Sequence, residues 1–126
     1  MEHHSTLEYT IDKEQGISFQ KFSGFIRLED LVAFNKRKMQ DPDFREGLHI
    51  LVDLSESEIG LTNQEIERYT RYLIEKKENY EGTRCAIISG NPKQFVKSFF
   101  FKEYASVFGK VEIFSTREAA LRWLKN

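Results

Sequence analysis

Short apolar runs that alternate with helical patterns constrain the fold of this chain more than any other feature. The segments "LHILVDL" (48–54) and "TRCAIIS" (83–89) are nearly continuous in apolar residues, as central strands covered on both faces are. A further strand is predicted over 110–115. The helices predicted between and after these runs span about 63–80, 93–108 and 116–125. Strands that alternate with helices imply right-handed crossovers and a mostly parallel sheet.

The N-terminal third carries a different pattern. The segments "TLEYTIDK" (6–13) and "ISFQKFS" (17–23) alternate apolar with polar residues around the turn Gln15-Gly16, which predicts an antiparallel hairpin. A helix is predicted over about 27–40 and is stopped by Asp41-Pro42. Its apolar stripe is predicted to consist of Leu28, Leu31, Val32, Asn35 and Met39. The predicted fold is therefore a single α/β domain over residues 1–126, in the order ββαβαβαβα, with the antiparallel strand at one end of the sheet.

Charge and hydropathy exclude several classes of protein. The 126 residues carry 19 basic and 20 acidic side chains, so a net charge of −1 does not attract nucleic acid. No apolar run approaches the roughly 20 residues of a membrane span, and no secretory signal begins the chain. A cytoplasmic location is expected. The charge run "NKRKMQD" (35–41) is predicted to be a solvated helix face.

Catalytic signatures are missing from the sequence. Cys85, the single cysteine, lies in the apolar run "CAII" and is expected to behave as a small buried residue. His49, within the first predicted parallel strand, lies four residues before Asp53, or roughly 13 Å along a strand, too far to form a catalytic pair. No nucleophile elbow, phosphate-binding loop, dinucleotide fingerprint or metal-spaced cluster occurs. We therefore predict no catalytic residue, no cofactor and no metal. An enzyme that uses Asp53 and Ser89 as acid and base is the weakest of three hypotheses.

Polar residues follow the predicted parallel strands, in loops at about 53–62, 89–93 and 114–116. Ligands of open parallel sheets bind beyond the carboxyl ends of the strands. Asp53, Ser55, Ser89 and Asn91 are therefore candidate binding residues, and the helix after Asn91 presents free amides to an anion. The alternative is that Asp53 accepts hydrogen bonds from the backbone that follows it and shapes the turn.

Two capping boxes are predicted at helix starts. Thr62 and Glu65 fit the Thr-x-x-Glu pattern, and Ser115 and Glu118 fit Ser-x-x-Glu. In each, the hydroxyl caps a free helix amide while the glutamate reaches back. Capping thus explains both hydroxyls without any chemistry.

The third predicted helix, "QFVKSFFFKEYASVFG" (94–109), is unusually aromatic. It holds five of the eleven phenylalanines, which are Phe95, Phe99, Phe100, Phe101 and Phe108. The face predicted to cover the sheet consists of Val96, Phe100, Tyr104 and Val107, with Phe95 and Phe99 on one flank and Phe101 and Ala105 on the other. This surplus indicates a self-association surface or the wall of an apolar ligand cavity. Packing against a neighbouring helix is the alternative.

Several short segments carry a family resemblance. They are "DPDFREG" (41–47), "LHILVDLS" (48–55), "AIISGNPKQF" (86–95) and "VEIFSTREAALRWL" (111–124). Together with the order of elements, they make the chain resemble the STAS-domain superfamily, in particular the stand-alone SpoIIAA-like proteins. The resemblance implies a sheet covered by helices and a regulatory or binding role. STAS relatives act as anti-sigma-factor antagonists or as modules of transporters and lipid-trafficking systems, and their fold resembles CRAL-TRIO lipid-binding domains.

The resemblance also implies a place for a phosphorylation switch. In the antagonists, a serine in an Asp-Ser-Ser-Gly motif after the corresponding strand is phosphorylated by a partner kinase. The equivalent stretch here, "DLSESEIGLTNQE" (53–65), keeps Asp53 but lacks that motif. Thr62 stands near the expected acceptor position, and Ser57 is the second candidate.

The expectation is a non-enzymatic regulatory or binding module that acts through protein contact, as a homodimer or with another protein. The alternative is a carrier or sensor of an apolar small molecule or lipid, held in a cavity walled by the aromatic third helix.

Overall fold

The computed structural model describes residues 4–76, 80–105 and 109–126. The strands are β1 (Ser5–Asp12), β2 (Ile17–Ile26), β3 (His49–Ile59), β4 (Arg84–Ile88) and β5 (Lys110–Phe114). The helices in this part of the chain are α1 (Leu28–Met39), α2 (Asn63–Glu75), α3 (Pro92–Ala105) and α4 (Arg117–Lys125). The predicted order ββαβαβαβα is confirmed.

The five strands form one mixed sheet whose spatial order, β1-β2-β3-β4-β5, follows the chain. β1 is antiparallel to β2, and the other neighbours are parallel, as predicted. Right-handed crossovers that all step in one direction place their helices on one side of a sheet. Accordingly, α1, α2 and α3 form a contiguous layer on what we call the three-helix face, while α4 packs on β3, β4 and β5 from the opposite side, the α4 face.

β2 is longer than the predicted strand over 17–23, because it passes through Gly24. This glycine has a φ of 83°, and a Cβ placed on it would lie 1.9 Å from the carbonyl oxygen of His4. A side chain at Gly24 would therefore clash with the backbone beside β1. The glycine that marks the predicted end of the strand instead lets it continue to Ile26.

β3 also exceeds its predicted span of 48–54, since it runs on to Ile59. Its pairing with β4 stops at Asp53, but pairing with β2 resumes at Glu56 after a β-bulge. In "ESEI" (56–59) the glutamates are exposed, whereas the serine and isoleucine are buried, which is the period of a strand. The predicted loop over 53–62 is therefore wrong over most of its length.

Threonines cap α2 and α4. The Glu65 amide donates to Thr62 Oγ1 at 3.1 Å and the Thr62 amide donates to Glu65 Oε1 at 3.0 Å, so the predicted capping box is confirmed. At α4 the prediction was wrong by one residue. The cap is Thr116 instead of Ser115, because Thr116 has an extended backbone and accepts from the Ala119 amide at 3.2 Å.

The buried stripe of α1 differs from the predicted one. It consists of Leu31, Phe34, Asn35 and Lys38, at i, i+3, i+4 and i+7. Asn35 and Lys38 are each only 3% exposed. The prediction that 35–41 forms a solvated face was therefore wrong at both of these residues.

The orientation predicted for α3 was also wrong. Val96, expected to cover the sheet, is 53% exposed, whereas Gln94 and Ser98 are buried. The cause is a polar anchor, because the Gln94 carbonyl Oε1 accepts from the Ile59 amide at 2.8 Å and holds that side of the helix against β3. The inward stripe is therefore Gln94, Ser98, Phe101 and Ala105. The side chains of Phe100 and Tyr104, and residues Val107 and Phe108, lie outside the described part of the chain.

Candidate functional site

A cavity of about 130 Å³ lies between the sheet and the helices of the three-helix face. Its walls are mostly apolar because alternate residues of β2, β3 and β4 point toward α1, α2 and α3. The apolar lining includes Phe22, Leu31, Phe34, Val52, Leu54, Ile59, Leu61, Ile66, Ile87, Phe101 and Val111. The sequence predicted such a cavity as one of two uses for the third helix.

One part of the cavity wall is charged. The Lys38 Nζ donates to Gln20 Oε1 at 2.8 Å, and Ser18 Oγ donates to the same oxygen at 3.1 Å. The ammonium also lies 5.8 Å from the Phe34 ring centre and 5.6 Å from that of Tyr80, at cation–π distance. Burial lowers the pKa of Lys38 to about 8. At pH 7 about ten amines therefore remain protonated for each neutral one.

An asparagine joins two tyrosines beside this lysine. Asn35 Nδ2 donates to Tyr69 Oη at 2.9 Å, and the Tyr80 hydroxyl donates to Asn35 Oδ1. Burial raises the pKa of both tyrosines, so both stay neutral. Both polar atoms of the buried amide thus have a hydrogen-bond partner, and Asn35 ties α1 to α2 and to Tyr80.

Cys85 forms another part of the cavity wall. Burial raises the pKa of its thiol to about 12, and the nearby Lys38 charge lowers it by less. The thiol is therefore protonated at neutral pH and is a poor nucleophile. Cys85 is only partly buried because it borders the cavity, but its protonated thiol agrees with the expectation that it is not a reactive cysteine.

Two cavity-lining hydroxyls lack a hydrogen bond. Thr83 and Ser98 are each 4% exposed, and neither side-chain oxygen has a partner among the described residues. Buried hydroxyls are usually paired, because an unpaired one loses its water without replacement. These two groups therefore mark polar points on an otherwise apolar wall.

Asp53 and Ser55 lie within β3, close to its bulge, and not in the loop predicted for them. Asp53 has the strand parity of Leu51, so its side chain is on the α4 face, away from the cavity. The Ser55 amide donates to Asp53 Oδ1 at 2.9 Å, which is the local shaping role weighed against a ligand role. Binding at these two residues stays a prediction.

The turn that contains Ser89 and Asn91 passes Ser55 at Gly90, and a common binding site of these three residues stays a prediction. A Cβ on Gly90 would lie 3.0 Å from the Ser55 Cα, so this turn needs a glycine to pass β3. Asn91 Oδ1 accepts from the Gln94 amide at 2.9 Å and caps α3. The strand order never reverses in this sheet, so the edge lacks the switch-point crevice of doubly wound folds.

The phenylalanines of α3 divide between the interior and the surface. Phe101 lines the cavity and stacks on Tyr69 with ring centres 6.2 Å apart. Phe95 and Phe99 are 50% and 44% exposed. Phe95 also borders a shallow surface groove with Phe114. The predicted set Phe95, Phe99 and Phe101 therefore does not form one wall.

The two candidate phospho-acceptors already make local hydrogen bonds. Ser57 is 7% exposed, and its Oγ donates to the Leu54 carbonyl at 2.9 Å. Thr62 is the cap of α2. A kinase would have to open β3 to reach Ser57, whereas Thr62 would need only the first turn of α2 to fray. Phosphorylation of either residue stays a prediction.

The described ranges hold no metal-binding cluster, and the histidine of β3 makes a structural hydrogen bond. His49 Nδ1 accepts from the Arg84 amide at 3.0 Å, and burial together with Arg84 lowers its pKa. No group of three or more His, Cys, Asp or Glu in those ranges could hold a metal ion. None of the described helices is long and apolar enough to cross a membrane.

The sequence missed several of the polar residues that line the cavity, among them Lys38, Thr83 and Ser98. A signal existed only for the first. Lys38 lies at i+7 on the stripe that begins with Leu31, Phe34 and Asn35. Helical periodicity applied to that stripe therefore places Lys38 on the inward side of α1. Nothing local distinguishes Thr83 or Ser98 from an exposed hydroxyl.

Comparisons with known proteins identify the fold and go no further. No family model and no curated protein matches the chain. It is similar to the crystal structure of an uncharacterised protein of the DUF3478 family, with a SpoIIAA-like fold, from Shewanella loihica PV-4. The two are 14% identical, the match covers 98% of this chain and 96% of that one, and the TM-score is 0.62. The chain therefore has the SpoIIAA-like fold, which confirms the predicted fold resemblance.

Proposed function

We propose that this SpoIIAA-like protein is a non-enzymatic binding module whose interior cavity holds a small apolar molecule. The cavity of about 130 Å³ is the observation that carries the proposal. Protein interiors normally leave few voids larger than a water molecule. An engineered apolar cavity of about 150 Å³ binds benzene, so this one has the size for a single ring or a short chain.

The polar surroundings support binding rather than catalysis. Among the described residues that line the cavity, the thiol and the tyrosine hydroxyls are neutral because burial raises the pKa of Cys85, Tyr69 and Tyr80. No carboxylate or histidine is among the cavity-lining residues that the structure describes. Lys38, whose pKa burial lowers to about 8, is a group that general acid–base chemistry could use, but the described lining gives it no carboxylate or histidine as a partner.

Benzene is the probe that tests this function, because it carries no charge or hydrogen-bonding group. We expect it to shift the amide NMR signals of β3, β4 and α3 with saturation. The doubly substituted variant Val52→Ile/Val111→Ile adds a methylene at two points of the wall and should weaken this binding. Val32→Ile is the matched control, since Val32 is on α1 but does not line the cavity. Absence of saturable shifts, or equal affinity in the filled variant, would contradict the proposal.

A second candidate function is self-association through α3, the homodimer expected from the sequence. It is favoured by three adjacent exposed apolar side chains, Phe95, Val96 and Phe99. Exposed large apolar patches on a protein surface mark interaction sites. The shallow groove lined by Phe95, Val96 and Phe114 continues this patch toward β5.

Sedimentation velocity over a concentration series tests the second candidate. We expect a reversible dimer that the Phe95→Asp/Phe99→Asp variant converts to monomer. Ile74→Asp is the matched control, because Ile74 is also an exposed apolar residue but lies on α2. A wild-type protein that stays monomeric throughout, or dissociation caused equally by Ile74→Asp, would remove this candidate. A cytoplasmic site of action remains a prediction.

A further inference from the structure

The buried lysine in the cavity wall has no negatively charged partner among the described residues. Lys38 is 3% exposed, and an ammonium has three N–H donors. One is donated to Gln20 Oε1 at 2.8 Å, and within the described ranges the structure offers no other hydrogen-bond acceptor and no carboxylate to this amine. A buried charge is normally paired, because its lost hydration must be replaced. Among the residues that the structure describes, Lys38 therefore has no counter-charge.

The groups that face Lys38 from the neighbouring elements do not supply one. They are Cys85 on β4, Tyr69 on α2 and Tyr80 before β4. Burial raises the pKa of all three, so at neutral pH each is uncharged. Lys97 and Lys110 also border the cavity and carry the same sign as Lys38. A negative charge that balances Lys38 must therefore come from a group other than these residues.

Two further donors lie in the same wall. The hydroxyls of Thr83 and Ser98 are buried and have no partner among the described residues. Thr83 directly precedes β4, and Ser98 lies on the inward stripe of α3. A ligand that brought acceptor oxygens into the cavity would supply partners that the described residues do not. The rest of the wall is hydrocarbon and aromatic, so the remainder of that ligand must be apolar.

We propose that the ligand is a small apolar monocarboxylate, a single ring or short chain whose carboxylate pairs with Lys38. The inference rests on the proposed function and names the class of ligand for the same cavity. A single ammonium matches the single charge of a carboxylate. The cavity volume excludes a long acyl chain held wholly inside, since about 150 Å³ accommodates benzene.

Benzoate and benzamide test the inference, because they have the same ring and differ in charge. Isothermal titration of the wild-type protein at pH 7 should show benzoate binding at least about tenfold more tightly than benzamide, the ratio expected for a hydrogen bond to a charged partner. Lys38→Met should remove that preference and leave benzamide affinity unchanged or higher. Lys36→Met is the matched control, because Lys36 is an exposed lysine on the same helix and its loss should change neither affinity.

A pH series gives a second, mutation-free readout. Benzoate affinity should fall as pH rises through the Lys38 titration, whereas benzamide affinity should stay constant. Equal affinities for the two ligands, or full retention of benzoate binding by Lys38→Met, would overturn the carboxylate inference while benzene binding kept the proposed function intact. If benzene, benzamide and benzoate all fail to bind, both proposals fall. Should Lys38→Met not fold, the ligand comparison and the pH series on wild type decide the question.

Discussion

The two faces of the sheet differ in the polarity of their buried residues and in how closely those residues pack. On the α4 face, Ile17, Leu51, Ala86 and Ile88 meet Ala120 and Leu124, and all six are buried and apolar. On the three-helix face, the same strands present Ser18, Gln20 and Cys85 as well as apolar residues, and they enclose a cavity. A face that served stability alone would gain nothing from a buried ammonium without a counter-charge, or from two buried hydroxyls without a partner, among the described residues. The contrast agrees with the proposal that the three-helix face binds a ligand while the α4 face maintains the fold.

Large-to-small substitutions should separate the two faces most clearly. Leu51→Ala on the α4 face should lower the free energy of unfolding by about 4 kcal/mol, because Leu51 is fully buried among close neighbours. Leu61→Ala, at a buried residue beside the cavity, should cost about 2 kcal/mol, since a side chain that borders a void has fewer contacts to lose. Urea denaturation measures both. Equal costs would show that the cavity wall is as tightly packed as the α4 face.

Burial of Lys38 on the three-helix face should make the free energy of unfolding depend on pH. Its pKa is about 8 in the folded protein against 10.5 unfolded, so the unfolded chain binds more protons between these values. Stability from this group therefore rises with pH, by about 2 kcal/mol from pH 8 to pH 10. Because the raised pKa of Cys85 and the tyrosines acts in the opposite direction above pH 9, the measured quantity is the difference between wild type and Lys38→Met.

The same experiment has a clear negative result. If chemical denaturation of wild type and Lys38→Met gives parallel stability curves over this pH range, the Lys38 amine is not desolvated as its position implies. At pH 7 we also expect Lys38→Met to unfold at a higher denaturant concentration than wild type, because methionine fills the same space without a charge to bury.

Sequence periodicity was sufficient for the order of the elements and for much of the α4 face. Strand runs such as 48–54 and 83–89 are short and apolar, so their burial needs no tertiary information. The Thr62–Glu65 box is equally local, because the atoms that pair are three residues apart. The ends of β2 and β3 could not be predicted in the same way. They depend on a close pass at Gly24 and on a bulge after Asp53.

The cavity was predictable only as one of several uses for an aromatic helix. The orientation of α3 depends on the hydrogen bond between the Ile59 amide and Gln94, 35 residues apart, and no local pattern contains that contact. The same holds for Lys38, whose neighbours Gln20 and Tyr80 come from distant segments. Propensity places a lysine on the surface, and only the assembled helix layer shows it inside. The polar groups of a site are therefore the last features to follow from sequence.

Small-to-large substitutions give the smallest and most specific test of the contrast. Val52→Ile adds one methylene beside the cavity and should raise the free energy of unfolding by up to about 1 kcal/mol, because the new group fills empty volume. Ala86→Val enlarges a fully buried residue on the α4 face and should lower it by about 1 kcal/mol through overpacking. If guanidinium denaturation shows changes of opposite sign in the free energy of unfolding, the unfilled volume lies on the three-helix face. A loss of stability in both variants would mean that the cavity closes in solution, and the benzene affinity of wild type would then be low for the same physical reason.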